Sequence, residues 1–391
     1  MADKKRQHFV PKYILRNFSA DASAKQINLF HIPSKRLVIG ASLREQCYRD
    51  YFYGDNLEIE NSLSAIEGVQ AHLIRKVTQA KRITELRLPE IPLFLAMQYG
   101  RTLRSAEDQS DRFEAFAKLC LSGSIDEDVL RSVRLRVGNS SVLSTSAAIK
   151  TSPILYDLKQ VLVENKTNIP FVISDHPVIV TNWFCRRNFP SNHGTGFAAA
   201  GLQIFMPISP KFSLMLLDAG TYNLADKCGY LILTKGKDVH GLNALQWLNA
   251  DKVIYIPQGL DETQLEFLTM TKGRKDRRFD LTRADKLADG NGFAVTNKDE
   301  YAAPTEGAKS ELVVIGGIKP AKDIRFSGLG LKSRPQFYND GTIASPLRDP
   351  YWLQIVEEFI SDGSGIQRPY SDFADFVASH PLEPLIGQRL R

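Results

Sequence analysis

IPFVISDHPVIVTN, residues 169–182, is where the chain changes period. Two short apolar runs, FVIS and VIVT, end against Asp, His, Pro and Asn, and this is how strands are punctuated. The same pattern continues downstream in LQIFMPIS (202–209), FSLMLLD (212–218) and YLILT (230–234), all short and bounded by Pro, Gly, Asn or Asp. Upstream, apolar residues recur at helical spacing instead. Helices followed by a series of short strands predict an α+β protein, with a helical N-terminal half packed on a mainly antiparallel sheet.

Toward the N-terminus, Leu57, Leu63, Ile66, Val69, Leu73, Ile74 and Val77 form one stripe, which predicts a helix from Asn56 to about Lys81. A second helix is expected from Pro89 to about Ser105, with Ile91, Phe94, Leu95 and Met97 on its apolar side and TQAKRITELRLP as the connection. Shorter helices are expected around 110–121 and 126–136. QINLFHI (26–32) and KRLVIG (35–40) read as two strands around the turn IPSK. Ahead of them, Val10, Ile14 and Phe18 follow Pro11 at helical spacing, so a short amphipathic helix is predicted there.

Beyond the sheet, KGRKDRRF (272–279) and DGNG (289–292) mark an exposed basic stretch. ELVVIGG (311–317) is a strand candidate and PYWLQIVEEFI (350–360) a helix candidate. The organisation expected is a mainly helical region over 1–165, a sheet-rich region over 166–260 and an α+β extension over 261–391. No internal repeat is found.

A chain of 391 residues, 43% hydrophobic and 24% charged, has the composition of a folded protein with a sizeable core. Its apolar runs fall well below the roughly 18 consecutive residues of a membrane span. No apolar segment follows the basic start MADKKRQHF, so a cytoplasmic protein without a transmembrane helix is expected. Cys47, Cys120, Cys185 and Cys228 are widely spaced and form no CxxC pair, so neither a zinc knuckle nor a disulfide framework is indicated. The net charge of +6 permits contact with nucleic acid without requiring it.

Polar residues stand out in three places. QHFVPKYILRNF (7–18) places His8 just ahead of a proline-started helix, where a neutral imidazole serves as base, metal ligand or packed core residue. Glu60 and Glu67 return to nearly one face of the long helix after two turns, and Gln98 and Arg101 share a side of the next. Those side chains suit a cleft for a metal-bound or phosphate-bearing ligand, or equally a salt bridge between Glu67 and Arg101. In FVISDHPV (171–178), Asp175 ends a strand next to His176 and Pro177, as a hard oxygen ligand or as a cap on backbone donors.

Absent are GxxxxGK followed by Ser or Thr, GxGxxG after a strand, HExxH, GxSxG and the HxE with PCxxC of zinc deaminases. Readings as an NTPase, dinucleotide oxidoreductase, zincin, common hydrolase or zinc deaminase lose weight accordingly. NWFCRRNF (182–189) interleaves aromatic and basic residues, a composition that suits bases and phosphates or an ordinary surface loop.

QHFVPKYILRNF, LSAIEG and FVISDHPV followed by IFMPISP together resemble the domain of unknown function 4238 family. Its opening His-x-x-Pro, aromatic, Leu, Phe pattern is matched by His8, Pro11, Tyr13, Leu15 and Phe18, its helical Glu by Glu67, and its Gln-x-x-Arg by Gln98 and Arg101. Where the family has a Ser-Asp-Asn-Pro-like turn, this chain has Ser174, Asp175, His176 and Pro177. LNALQ with Asn243, ahead of Ala250, is also similar. The likeness covers roughly residues 7–255, and it implies a grouping by fold with no activity attached.

On these residues the leading expectation is a phosphodiester-cleaving enzyme acting on RNA or single-stranded nucleic acid, as a bacterial defence or toxin effector. In it, Glu67 and Asp175 bind Mg²⁺ or Mn²⁺ that activates water, and His8 transfers a proton. Arg101 stabilises charge on the phosphate, and Gln98 orients the substrate. Two alternatives stay open. One is a non-catalytic sensor or binding module in which the same residues form a buried polar network. The other is an enzyme acting on a small phosphorylated ligand.

Overall fold

A computed structural model describes residues 5–21, 23–55, 57–81, 90–121, 124–189, 194–274, 279–286, 293–297, 311–317, 322–339, 345–361 and 372–386. The chain begins with β1 (Arg6–His8), α1 (Lys12–Arg16), the hairpin β2 (Gln26–His31) and β3 (Arg36–Ser42), and β4 (Tyr48–Asp50). Five helices follow: α2 (Leu57–Ala80), α3 (Glu90–Gly100), α4 (Leu103–Leu121), α5 (Glu127–Ser132) and α6 (Ser140–Thr151). The central part runs β5 (Lys159–Asn165), β6 (Ile173–Ser174), β7 (Ile179–Thr181), α7 (Trp183–Asn188), β8 (Gln203–Pro207), β9 (Phe212–Leu217), β10 (Tyr222–Leu224) and β11 (Tyr230–Leu233). Then come α8 (Gly236–Asn249), β12 (Val253–Ile256), α9 (Glu262–Thr269), β13 (Phe279–Lys286), β14 (Phe293–Asn297), β15 (Glu311–Gly317), β16 (Leu329–Leu331), α10 (Pro350–Ile360) and α11 (Phe373–Ser379).

The fold is α+β, with two main sheets. One has the order β11-β5-β9-β8-β7 and is antiparallel except where β11 joins β5. Period-2 alternation sends Leu162, Ile204, Leu214 and Leu216 into the largest core, with Phe94, Leu95 and Met97 of α3. Val161, Val163, Phe205 and Met215 point the other way, onto Val239, Leu242 and Leu245 of α8. With both faces covered, the centres of these strands are apolar runs, VLV in β5, IFM in β8 and LMLL in β9. The second sheet, β3-β2-β12-β6, joins the N-terminal hairpin, which ends at Ser42, to strands that begin at Ile173 and Val253. Strand pairing therefore crosses the boundary drawn from sequence at 165, and the antiparallel pair of β10 with β16 crosses that at 260.

The opening segment is core. Val10, Ile14, Leu15 and Phe18 are fully buried, and each apolar side chain so removed from water stabilises by about 2 kcal/mol. A five-residue helix does not persist alone, so α1 is held by this burial.

The helix expected to continue to Ser105 stops at Gly100. A Cβ there would lie 2.5 Å from Ala148 Cβ and 2.6 Å from Ser144 O, so α3 crosses α6 at a distance only glycine allows. Thr102 then restarts the chain as a cap, with Ser105 N–H donating to its Oγ1 at 3.3 Å, and α4 begins. The TQAKRITELRLP connection lies mostly outside the described residues, as does DGNG. Among the described residues no helix is long and apolar enough to cross a membrane.

Candidate functional site

Four of the five residues singled out in sequence meet around the N-terminal segment. β1 pairs antiparallel with β4, Gln7 opposite Arg49 and His8 opposite Tyr48. Phe9 N–H continues the pairing to Cys47 O at 2.8 Å. From the other side, Arg101 Nη2 donates to His8 O at 2.8 Å and Gln98 Nε2 donates to Phe9 O at 3.1 Å. The i, i+3 spacing that placed Gln98 and Arg101 on one side thus aims both at the carbonyls of one extended chain.

Arg101 is the hub of this clasp. Its Nε donates to Tyr53 Oη at 3.1 Å, and Tyr53 Oη returns a hydrogen bond to Arg101 O at 3.3 Å. Nη1 lies 2.8 Å from Glu67 Oε1, a close ion pair whose angle falls short of a well-aligned hydrogen bond. Arg101 is 1% exposed and Glu67 25%, so the carboxylate is the face of the clasp that water reaches. Burial works against the guanidinium charge, yet Tyr53 and Glu67 more than offset it and its pKa is raised. Gln98 Oε1 is buried without a hydrogen-bond partner among the described residues.

His8 packs rather than projects. It is 8% exposed, its ring sits 5.8 Å from that of Tyr48, and its Nε2 lies 3.3 Å from Arg44 O. Burial, helped by the nearby charge of Lys12, pushes its pKa down to about 4, so the ring is neutral at pH 7.

Asp175 belongs to a second clasp, where its carboxylate accepts from three consecutive backbone donors. Asp251 N–H and Lys252 N–H approach to 2.8 Å and Val253 N–H to 3.1 Å. Burial raises its pKa to about 6 despite those donors, and the charge of Asp251 adds to the rise. Around it α8 lays down a ladder of amides. Asn243 Oδ1 accepts from Val172 N–H at 3.1 Å while its Nδ2 donates to Pro170 O at 2.9 Å. One turn on, Gln246 Oε1 accepts from Ser174 N–H at 3.0 Å and its Nε2 donates to Pro177 O at 2.7 Å. Asn249 Nδ2 donates to His176 O at 2.6 Å. The last carbonyls of α8 accept in turn from Arg104, at 2.8 Å on Asn249 O, and from Arg274, at 2.6 Å on Ala250 O.

The two clasps touch at the α3–α4 junction. Thr102, next to Arg101, lies 2.6 Å from His176 Nδ1 through its hydroxyl, and the Tyr99 ring packs 5.5 Å from the His176 ring. On the sheet side, Cys47 Sγ is 3.0 Å from Tyr255 Oη, and burial raises the pKa of both groups. His176 therefore links the SDHP turn to the α3–α4 junction.

Of the expected set, His8, Glu67, Gln98 and Arg101 come together, while among the described residues no hydrogen bond or ion pair joins Asp175 to them. The arrangement does not fit a shared divalent ion. Mg²⁺ and Mn²⁺ need several free oxygen ligands; both Asp175 oxygens accept from the backbone and Glu67 faces a guanidinium. Among the described residues no group of three or more His, Cys, Asp or Glu is placed to hold a metal. NWFCRRNF is also engaged internally: Trp183 stacks on Tyr222 at 6.2 Å with the Arg325 guanidinium 4.7 Å from its ring, and Phe184 is buried. Arg187 stays exposed.

Sequence reasoning missed Tyr53, Gln7, Thr102, Gln246 and Asn249. The amides carried a readable signal, since Asn243, Gln246 and Asn249 recur every three residues in LNALQWLN.

In comparisons with known proteins, the model of the family described as a protein of unknown function (DUF4238) matches residues 6–258. No curated protein and no solved structure matches the chain.

Proposed function

We propose, for a chain that belongs to the DUF4238 family, a non-catalytic binding or sensing module whose shared polar residues organise the fold. One observation carries this reading. The donors best suited to a phosphate, on Arg101 and Gln98, give their hydrogens to the main-chain carbonyls of His8 and Phe9 instead. A substrate would have to displace the protein's own backbone to use them. A buried charge-assisted hydrogen bond such as that of Arg101 contributes about 1.5–3 kcal/mol, and a neutral one such as that of Gln98 about 0.5–1.5 kcal/mol. The test compares wild type with Glu67→Gln in thermal melting and in cleavage of RNA and single-stranded DNA with Mg²⁺ or Mn²⁺. The module reading expects a lowered melting temperature and intact nucleic acid in both samples. Cleavage by wild type that disappears in Glu67→Gln at an unchanged melting temperature overturns it.

A second reading is favoured by the solvent access of Glu67, whose carboxylate is held 2.8 Å from the buried Arg101 guanidinium. It is phosphodiester cleavage of RNA or single-stranded nucleic acid by a cytoplasmic defence or toxin effector, supported also by the net charge of +6. The same assay decides between the two.

A further inference from the structure

Trp183, Arg186 and Arg187 share one side of α7, at i, i+3 and i+4. Around Trp183 three planar groups gather. Tyr222, 4% exposed, is fixed through its hydroxyl, which accepts from Phe184 N–H at 2.9 Å and donates to Gly201 O at 2.8 Å. Trp183 stacks on it with 24° between the rings, and the Arg325 guanidinium lies over Trp183, 4.7 Å from the ring centroid. Of the three, Arg325 is the open one, its side chain 57% exposed. Asp323 holds it in place. That carboxylate is 2% exposed, with Oδ2 3.0 Å from Arg325 Nη2 and Oδ1 3.0 Å from Arg186 Nε. Ile324, between Asp323 and Arg325, is fully buried, its N–H donating to Thr181 Oγ1 at 3.3 Å and its carbonyl accepting from Gln203 Nε2 at 2.9 Å. One buried carboxylate on an anchored segment therefore orients two guanidiniums. Arg187 and Lys322 beside them are exposed, and among the described residues neither makes an ion pair. The positive charge of this face exceeds what Asp323 neutralises.

We infer that this face binds single-stranded nucleic acid, with a base stacked on the Arg325 guanidinium and neighbouring phosphates on Arg187 and Lys322. Unstacked bases are taken up on aromatic rings and on guanidinium planes, and a guanidinium already held in place loses little further freedom on binding. A duplex keeps its bases stacked inside and offers this face only phosphates. A lipid headgroup or a phosphorylated peptide likewise brings charge with no base to stack, so the gathered planes favour the single strand. The surface uses no residue of either clasp; it rests on the reading as a binding module and names that module's ligand.

Fluorescence anisotropy of a labelled single-stranded oligonucleotide with the full chain, in EDTA and over a salt series, tests this. Wild type should bind, with the logarithm of the binding constant falling linearly against that of the salt concentration. Arg325→Lys keeps the charge and removes the plane, and it should weaken binding by about tenfold with the salt slope unchanged. Arg187→Ala should flatten the slope by about 0.7, the share of one phosphate contact on a single strand. Both side chains are exposed, so both variants should melt with the wild type. EDTA removes any divalent ion, so a failure to bind here is distinct from the cleavage result that overturns the module reading. The proposal is overturned by a wild type that leaves the oligonucleotide free at low salt, by equal affinity for a duplex of the same length, or by either variant matching the wild type.

Discussion

The two clasps hold similar lengths of extended chain by different chemistry. The N-terminal clasp relies on a permanent charge, with Arg101 gripping His8 O and Glu67 closing the pair at the surface. The SDHP clasp relies on neutral amides, with one carboxylate, Asp175, buried against three backbone donors. A guanidinium keeps its charge at every accessible pH, whereas a buried carboxylate gives up its charge when acid makes that cheaper. Loss of a partner should therefore be felt most in the first clasp, while a change of pH acts through one group in each, His8 in the first and Asp175 in the second.

The largest effect is expected from Glu67→Ala. It leaves a buried guanidinium without its counter-charge, which costs about 3–5 kcal/mol for a closed pair and toward the lower end here, because water reaches Glu67. Chemical denaturation should show the midpoint falling accordingly. A shift under about 0.5 kcal/mol, the size of an exposed ion pair, would mean that the clasp is not a buried pair at all. Gln246→Ala comes next. It strands Ser174 N–H and Pro177 O in a fully buried setting, for about 2–3 kcal/mol. Should it exceed Glu67→Ala, the neutral clasp would be the stronger of the two.

The sequence showed the long helix α2, the β2–β3 hairpin and the period change at 169–182 because each rests on repeated apolar spacing. It did not show α6, since SSVLSTSAAIKT is rich in residues that favour caps and turns. In the fold those hydroxyls bond back along the helix, Thr145 Oγ1 donating to Ser141 O at 2.6 Å. Convergence of Glu67, Gln98 and Arg101 was legible from helical geometry, but what they grip was not. Spacing puts donors on one face and is silent on whether a ligand or a distant carbonyl lies opposite. Asp175 carried the same ambiguity, for a carboxylate at a strand end reads alike as ligand and as cap. The backbone donors it accepts from are 76 to 78 residues away.

Acidification should sharpen the contrast. His8 has its pKa lowered to about 4 from an ordinary 6.5, so its contribution is complete above pH 6.5 and is lost as pH falls toward 4. Asp175 has its pKa raised to about 6 from 3.8, so the folded state binds the proton more tightly and stability gains as pH falls from 6 toward 3.8. The two slopes oppose each other in the wild type. Melting temperatures between pH 7 and 4 should fall more steeply in Asp175→Asn and less steeply in His8→Gln. Parallel curves for wild type and both variants would remove these groups from the acid response.

The smallest effect is at the joint between the clasps. Thr102→Val removes the hydrogen bond to His176 together with the cap on Ser105 N–H and should cost about 1–2 kcal/mol. Its more telling consequence is in coupling. Thr102 is covalently next to Arg101 and bonded to the SDHP turn, so tightening one clasp positions the other. A double-mutant cycle of Glu67→Gln with Gln246→Ala should give a non-additive term above about 0.5 kcal/mol while Thr102 is present, shrinking toward zero once Thr102→Val is introduced. Additivity in both backgrounds would make the clasps two independent fastenings that happen to be neighbours. A coupling that survives Thr102→Val would instead run through the sheet, where Cys47 meets Tyr255 and Phe9 meets Cys47.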